Sequence, residues 1–510
     1  MTITLDNALG WRDVAAVARG RALTLSPAAW ARIAKANALV AAIVERGIRA
    51  YGVNTGVGAL SDTVVDRPQQ RRLSRNLLMS HACGVGEPLG AEAVRAIIAA
   101  EINNFAHGRS GVRTEVVATL AGLLEHGIVP EVPARGSVGY LTHAAHIGLV
   151  LIGEGRAVVG GDTVAGGNAL VAAGLAPLVL EAKEGLSLVN GTPCSTGLAC
   201  LALARTERLL LVADAVAALS LEALGAQMAA FEADVLAARV SPGLEASGTA
   251  IRTFLAGSRI IQAARGARTQ DALSLRAVPH VHGAARDTFE NACTVVDREL
   301  QSVTDNPILS GTSEAPVVSS EAHAVAPALA HAMDSLAIAV AQVASMAERR
   351  LDRLVNPLVS RLPPFLAADA GSCSGYMIAQ YTAAALVGEN RRLATPASLD
   401  GGITSALQED FLAHPTAAAT KIQTIIDNCE RILGIELLAA VDAGDLRGDA
   451  ADCAPGTAAL RAQVRAVAAP YRDDRPMADH LARGFDLVRG GLSIAQPSIV
   501  QPAIASGASS

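Results

Sequence analysis

Apolar side chains recur at three- and four-residue spacing along the second part of the chain. The pattern runs through Leu198–Ala229, Ala322–Leu354 and Gly375–Leu393, and this period places apolar side chains on one face of an α-helix. Upstream, shorter helical patterns alternate with glycine-rich turns, where close backbone approaches are expected. We therefore predict a loop-rich helical domain over residues 1–195, followed over residues 196–510 by a long helical bundle with a C-terminal helical cap.

Composition strengthens the helical prediction. Of the 510 residues, 51% are hydrophobic but only 3% are aromatic, and such a chain favours close helix packing over a sandwich or a barrel. The formal net charge of −6 provides no basic surface of the size that phosphate backbones require, so no nucleic-acid partner is expected. The sequence therefore predicts an all-α protein.

The chain carries no pattern typical of a membrane segment or a metal centre. Its longest apolar runs are short or interrupted by charges, which fits core helices rather than bilayer spans. The first residues do not resemble a signal peptide, so we expect a cytoplasmic protein. The seven cysteines include no CxxC pair, and we predict reduced thiols and no metal site.

Polar loops separate the long helical patterns. They cover Arg268–Gly283, Ser302–His323 and Leu399–Asp410. Sites for small molecules usually form in such loops at the ends of a bundle. We therefore expect the chemistry of the protein to be concentrated there and in the glycine-rich turns.

Nine short blocks support a more specific interpretation because they occur in one order along almost the whole chain. Together they resemble the aromatic amino acid ammonia-lyases, and among these the histidine ammonia-lyases. The resemblance implies a fold of the fumarase and aspartase type, and a homotetramer whose active sites combine loops from several subunits. The blocks are YGVNTGVG (Tyr51–Gly58), NLLMSHACGVG (Asn76–Gly86), GSVG (Gly136–Gly139), LVLIGEG (Leu149–Gly155), LVNGT (Leu188–Thr192), QDALSLR (Gln270–Arg276), TDNP (Thr304–Pro307), LPPFL (Leu362–Leu366) and SALQED (Ser405–Asp410).

The chain departs from this family at the segment that forms its electrophile. Family members use a methylidene-imidazolone, made by cyclisation of an Ala-Ser-Gly tripeptide that directly follows GSVG. Here Gly139 is followed by Tyr140, and YLTHAAHIGLVLIGEG then matches the downstream family helix without further offset. The gap of three residues falls on the electrophile, so we expect no cofactor.

The resemblance assigns roles to individual residues. Tyr51 matches the catalytic base, and a tyrosinate could take the β-proton of the substrate if amide groups of the glycine-rich loop lower its pKa. Arg276 matches the residue that holds the substrate carboxylate. His81 and Glu409 match positions that face an imidazole ring. The predicted substrate-binding residues are His81, Asn190, Gln270, Arg276, Asn306 and Glu409.

Several positions around the same pocket differ from histidine ammonia-lyases. Most of these changes replace polar side chains with apolar ones, and polar groups beside a trimethylammonium group would lose water without gaining a partner. A quaternary nitrogen also leaves as a neutral amine without help from an electrophile. We therefore expect a relative of the ergothionases, which lack the electrophile, converting ergothioneine to thiourocanate and trimethylamine. The predicted pocket-shaping residues are Tyr140, Pro193, Leu273, Ala322 and Leu407.

Three alternatives remain open from the sequence. The chain could be a conventional histidine ammonia-lyase, converting histidine to urocanate and ammonia, whose modified tripeptide is missing from the written sequence. It could act on another betaine, such as hercynine. It could also be a non-catalytic family member that serves as a scaffold or partner subunit. In the enzymatic alternatives the ligand is a small molecule with an imidazole or thioimidazole ring.

Overall fold

The computed structural model describes residues 2–399 and 401–494. The chain is mostly helical, with 61% of its residues in helices, so the all-α prediction is confirmed. The α-helices are α1 (Trp11–Ala18), α2 (Pro27–Arg46), α3 (Arg67–His81), α4 (Ala91–Ala106), α5 (Thr114–Glu125), α6 (Thr142–Leu151), α7 (Gly166–Ala172), α8 (Glu184–Ser187), α9 (Pro193–Ala223), α10 (Ala233–Ala237), α11 (Pro242–Leu255), α12 (Arg259–Ala264), α13 (Leu273–Arg276), α14 (Val278–Leu300), α15 (Pro327–Val355), α16 (Pro357–Ser360), α17 (Met377–Leu393), α18 (Pro415–Arg447), α19 (Pro455–Val467) and α20 (Met477–Asp486).

Short strands connect some of these helices. The strands are β1 (Ile3–Leu5), β2 (Leu23–Leu25), β3 (Val85–Pro88), β4 (Val129–Pro130), β5 (Pro133–Arg135), β6 (Arg156–Val159), β7 (Asp162–Ala165), β8 (Ile308–Gly311) and β9 (Pro316–Ser319). β1 pairs with β2 in parallel, β3 with β5 and β8 with β9 in antiparallel fashion, and β4, β6 and β7 form a three-stranded antiparallel sheet. Single 3₁₀ turns lie at Gly58–Leu60, Met228–Phe231, Pro364–Leu366, Ser405–Leu407 and Ala450–Asp452, and a π-helical turn at Leu487–Gly491.

The ends of the long helices follow local chemistry. Helix α2 begins where Ser26 caps it, accepting a hydrogen bond from the Ala29 amide at 3.1 Å, and ends at Gly47 in a left-handed conformation, which glycine adopts without strain. Helix α9 ends before the predicted Ala229, because Gly225 turns the chain with φ +58°. The apolar periodicity of the sequence therefore predicts where the long helices lie, whereas capping side chains and glycines determine where they end.

The chain forms two compact units, each assembled from several segments. Unit 1 comprises residues 1–204, 291–335 and 395–423, and unit 2 comprises residues 205–290, 336–394 and 424–510. The predicted boundary near residue 195 falls inside helix α9, whose first part belongs to unit 1. The units are therefore interleaved along the sequence.

Each unit has its own buried apolar cluster. In unit 1, residues of α2 pack with Ala50, Val53 and Leu309. In unit 2, Phe231, Ile251 and Val278 belong to a cluster that also includes the C-terminal half of α9. Helix α15 is long and apolar enough to cross a bilayer by length and composition alone, as many core helices are, and 61% of its most apolar window is buried inside the chain.

A buried polar cluster in unit 2 makes folding sensitive to acid. The Tyr376 hydroxyl donates to Asp442 at 2.5 Å and lies 3.0 Å from Nε2 of His480, on α20. Burial lowers the pKa of His480 from 6.5 to about 4, against the opposing effect of Asp442. The unfolded chain therefore binds a proton near pH 6 that the folded chain excludes, and folding loses stability as the pH falls.

We expect the free energy of unfolding to decrease by about 2 kcal/mol between pH 7 and pH 5 through His480 alone. Urea unfolding at both pH values measures this loss. In a His480→Asn variant the loss between the two pH values should be smaller by that amount, whereas His126→Asn, at an exposed position, should leave it unchanged. Equal losses in the wild type and in His480→Asn would contradict the assignment.

Candidate functional site

A cavity of about 950 Å³ lies within unit 1. Its walls come from the turn after α2, the end of α3, the Gly136–Leu141 loop, the loops around Asn190 and Asn306, and the turn at 404–409. The sequence-predicted residues that line it are Tyr51, His81, Tyr140, Asn190, Asn306, Ala322 and Glu409. The tertiary structure therefore gathers seven predicted positions from six separate stretches of chain.

The other predicted positions do not line this cavity. Gln270, Leu273 and Arg276 belong to unit 2, where Arg276 donates from Nε to the Asp271 carbonyl oxygen at 2.9 Å. Pro193 begins α9 and lines a separate small cleft, and Leu407 is 73% exposed. None of these five residues lines the cavity of a single chain, so their predicted roles in the pocket stay predictions.

Tyr51 is held in a tightly braced turn. Oδ1 of Asn54 accepts from the Ala50 amide and its Nδ2 donates to the Ile48 carbonyl oxygen, both at 2.8 Å. Gly52 has φ +62°, and an added Cβ there would lie 2.0 Å from Cδ2 of Leu186, so glycine is strongly favoured at this position. The phenol is thereby fixed at the cavity wall.

The environment of Tyr51 does not favour the phenolate. Its hydroxyl oxygen accepts a hydrogen bond from the Gly58 amide at 3.0 Å, as expected from the glycine-rich loop. Burial nevertheless raises the pKa of Tyr51; the Gly58 hydrogen bond opposes this effect and the charge of Glu409 adds to it. The condition that the amides of the glycine-rich loop lower the Tyr51 pKa is therefore not met in the free protein, because desolvation outweighs one amide donor.

Tyr140 contacts Glu409 across the cavity. Its hydroxyl donates to Oε2 of Glu409 at 2.8 Å, joining residues 269 positions apart. Burial, followed by the hydrogen bond and charge of Glu409, raises the pKa of Tyr140. The phenol therefore stays protonated and acts as a donor. The sequence did not predict this contact.

The turn that carries Glu409 is strained. Ser405, Ala406 and Leu407 all have left-handed φ angles, of 51°, 50° and 76°, and each such non-glycine residue costs about 1–3 kcal/mol. The backbones of Thr404 and Glu409 hold the turn closed through hydrogen bonds of 2.8 and 3.2 Å. Oγ of Ser405 accepts from the Ala59 amide at 3.2 Å, which ties this turn to the Tyr51 loop.

His81 ends helix α3 and faces the cavity. The Ser80 hydroxyl lies 3.0 Å from Nδ1 of His81, and burial lowers the pKa of the imidazole. Near neutral pH the ring is therefore uncharged, with one nitrogen able to donate and the other to accept a hydrogen bond. The uncharged His81 ring can therefore form hydrogen bonds with a polar heterocycle of a ligand.

A buried ion pair lies behind Asn190 and Asn306. Nζ of Lys183 is 2.8 Å from Oδ2 of Asp305, and both side chains are fully buried. Asn190 donates from Nδ2 to Oδ1 of Asp305 at 3.3 Å and to the Asn306 carbonyl oxygen at 2.5 Å. The pair therefore orients the Asn190 amide, and the sequence had offered no role for Lys183.

Glu321 is a further cavity residue that the sequence did not single out. It accepts a hydrogen bond from the backbone N–H of His323, and burial raises the pKa of its carboxyl group. Its signal was present in SSEAH, where the family pattern has GGNFH, so a carboxylate stands where the family has an amide. In this segment the sequence predicts a role in the pocket for Ala322 alone.

The cavity wall does not fit the electrophile that the family resemblance implies. Gly139 is followed directly by Tyr140 and Leu141, whose backbone N–H donates to the Val189 carbonyl oxygen at 2.8 Å. The Thr416 hydroxyl donates to the Gly139 carbonyl oxygen at 2.9 Å, and an added Cβ at Gly139 would lie 2.9 Å from Pro415. The main chain here contains no Ala-Ser-Gly segment that could cyclise.

Comparisons with known proteins agree on the family. A family model described as "Aromatic amino acid lyase" matches residues 9–466. A histidine ammonia-lyase from Symbiobacterium thermophilum is 44% identical over 487 residues, covering 95% of this chain and 96% of that protein. The crystal structure of histidine ammonia-lyase from Trypanosoma cruzi is similar with a TM-score of 0.89 and 34% identity, over 96% of this chain and 94% of that one.

The same comparisons correct the predicted substrate. The structure of ergothionase from Treponema denticola covers 96% of this chain and all of its own, with a TM-score of 0.89 but 29% identity. Five curated relatives named histidine ammonia-lyase are 40–44% identical. The expectation that this chain converts ergothioneine is therefore wrong, and these relatives favour the alternative reaction on histidine, although the tripeptide assumed in that alternative does not follow Gly139 in this chain. The likeness also confirms the predicted fumarase and aspartase type of fold.

The buried ion pair predicts a large effect of Lys183→Met on stability. Removing the ammonium group leaves the Asp305 carboxylate buried without its cation, at a cost of about 3–5 kcal/mol in the free energy of unfolding. Urea unfolding measures this loss, and Lys35→Met, at an exposed position on α2, is the matched control. Equal stability of the two variants would contradict the assignment.

The ionisation of Tyr51 can be measured directly, because the chain contains only five tyrosines. We expect the phenolate absorbance lost in Tyr51→Phe to titrate above pH 10 in the free protein. Glu409→Gln removes the negative charge that raises the Tyr51 pKa, so the midpoint should move to lower pH. A midpoint below 10 in the wild type, or an upward shift in Glu409→Gln, would contradict this account.

Proposed function

The chain belongs to the aromatic amino acid lyase family, and we propose that it is a carbon–nitrogen lyase that converts histidine to urocanate and ammonia. The observation that carries the proposal is the single cavity that joins Tyr51, His81 and Glu409. These side chains supply a phenol for proton transfer and two groups able to hydrogen-bond an imidazole ring. The similarity to proteins named histidine ammonia-lyase over almost the full length supports the same substrate.

In the proposed reaction, the Tyr51 phenolate takes a proton from the β-carbon of histidine. The electrons of that C–H bond form the double bond between the α- and β-carbons. The bond from the α-carbon to nitrogen breaks with its electron pair going to nitrogen. Because nitrogen starts as an ammonium group, it leaves as neutral ammonia, and the tyrosine ends as a phenol.

The free-protein pKa of Tyr51 makes substrate binding part of this mechanism. A raised pKa leaves little phenolate near neutral pH. A substrate ammonium group brought close to the phenol would favour the ionised form, because opposite charges stabilise each other. We propose that the charge of the bound substrate, rather than the glycine-rich loop alone, activates the base. No step is assigned to the methylidene-imidazolone.

The remaining cavity residues hold the substrate. Glu409 accepts from a ring N–H, and the neutral His81 imidazole pairs with the ring's other polar edge. The amides of Asn190 and Asn306 provide hydrogen bonds at the α-carbon end. We propose a homotetramer in which Gln270 and Arg276 of a second copy complete the carboxylate-binding end, as the family resemblance implies. Light scattering of the purified protein tests that assembly.

The deciding experiment incubates purified protein with histidine and follows urocanate absorbance and released ammonia. We expect both products in equal amounts, and Tyr51→Phe should lower kcat by at least about a hundredfold, the contribution of a general base. Tyr381→Phe, at a position 63% exposed on α17, is the matched control. The intact mass of the active protein shows whether the chain is that of the 510 unmodified residues.

Two activity results would overturn the proposal, and a third result, the intact mass, tests the chain itself. Absence of ammonia from histidine, together with release of a tertiary amine from a histidine betaine, would assign another leaving group. Absence of turnover and of binding with every imidazole amino acid would favour a non-catalytic subunit. A mass larger than that of the chain would show that an additional segment is present.

A further inference from the structure

The contact between Tyr140 and Glu409 has no role in the reaction as proposed so far. Both residues line the cavity beside Tyr51. The Tyr140 hydroxyl donates to Oε2 of Glu409 at 2.8 Å, and hydrogen bonds to a carboxylate are among the stronger ones in proteins. Tyr140 follows Gly139 directly, where the family pattern has its electrophile. This feature therefore belongs to this chain rather than to the general mechanism.

The direction of the hydrogen bond is unambiguous. Burial and the adjoining carboxylate raise the pKa of the Tyr140 phenol, so Tyr140 keeps its proton and can only donate to Glu409. A carboxylate offers about four acceptor positions on its two oxygens. The bond from Tyr140 engages Oε2, and Oε1 keeps its acceptor capacity for a ligand.

Both partners are held by the main chain as well as by each other. The Tyr140 carbonyl oxygen accepts from the Ser137 hydroxyl at 3.0 Å, and the Leu141 amide is bonded to Val189. Glu409 closes the left-handed turn through its two backbone hydrogen bonds with Thr404. The backbones at Tyr140 and at Glu409 are both held, and a hydrogen bond joins the two side chains. The Glu409 carboxylate therefore loses little conformational freedom when a ligand binds, and such preorganisation favours affinity.

A fixed carboxylate discriminates between rings. An imidazole N–H can donate a hydrogen bond to the carboxylate. A phenyl ring would displace water from the carboxylate without offering it a donor. Sites built to hydrogen-bond a polar group reject analogues that lack that group far more strongly than apolar pockets reject a small difference in size. Selection for an imidazole ring therefore depends on how well Glu409 is held.

We propose that Tyr140 is a specificity-determining residue, which orients the Glu409 carboxylate so that its second oxygen accepts a hydrogen bond from the imidazole N–H of the substrate. This inference rests on the proposed histidine-type substrate. Tyr140 acts through Glu409 and takes no part in breaking bonds. Its removal should therefore affect recognition of the ring more than the chemical step.

Two ligands that cannot react separate recognition from turnover. They are 3-(imidazol-4-yl)propionate and 3-phenylpropionate, which share the carboxylate and differ in the ring. Calorimetry gives their dissociation constants for the full-length wild type, Tyr140→Phe, Glu409→Gln, the double variant and the control Tyr381→Phe. We expect Tyr140→Phe to weaken binding of the imidazole ligand by at least about tenfold and to leave the phenyl ligand within about twofold.

The double variant tests whether Tyr140 acts through Glu409. In the Glu409→Gln background, Tyr140→Phe should weaken imidazole binding by less than about threefold, because coupled residues have non-additive effects. With histidine, Tyr140→Phe should raise KM more than it lowers kcat. Additive effects, equal weakening of both ligands, or wild-type affinity in Tyr140→Phe would each overturn the proposal.

The outcomes also separate this inference from the proposed function. Tyr140-dependent imidazole binding in a protein that does not release ammonia from histidine would overturn the proposed reaction and support the ring-recognition role. Turnover of histidine with ring selectivity unchanged in Tyr140→Phe would support the reaction and overturn the role of Tyr140.

Discussion

The buried Lys183–Asp305 ion pair connects the loops on which the cavity depends. Lys183 precedes α8, Asp305 lies in TDNP, and Asn190 between them donates to the same carboxylate. Burying two charges is costly unless further hydrogen bonds satisfy them. The Ser187 hydroxyl lies 2.8 Å from Nζ of Lys183 and 3.0 Å from Oδ2 of Asp305, so the pair is well satisfied. The ion pair thereby fixes the position of the Asn190 amide.

A second buried carboxyl group shows the same cost of burying a charge. Glu101 on α4 is fully buried, and desolvation, with the charge of Asp305, raises its pKa well above the usual value. A neutral Glu101 avoids placing a second negative charge beside Asp305. Beside the Lys183–Asp305 ion pair, unit 1 therefore keeps Glu101 as a protonated acid rather than as a second buried charge.

At the cavity wall the side chains favour a cationic ligand, because the guanidinium of Arg49, which also lines the cavity, is paired with Asp62. Glu409 and Glu321 contribute carboxyl groups, Tyr51 and Tyr140 contribute phenols, and the His81 ring is neutral near pH 7. A histidine ammonium group would be attracted to this environment and would help Tyr51 to ionise. In the proposed reaction, binding of the substrate and activation of the base would then both depend on the charge of its ammonium group.

The sequence by itself determined the helical class, the positions of the long helices, the family and seven of the residues around the cavity. Apolar periodicity and short ordered motifs are local properties of a chain, so they can be recognised without a structure. The tertiary structure alone decided the Tyr140–Glu409 hydrogen bond, the role of Lys183, the raised pKa of Tyr51 and the placement of Gln270 and Arg276 in the other unit. These depend on burial and on contacts between residues up to 269 positions apart, which no local pattern encodes.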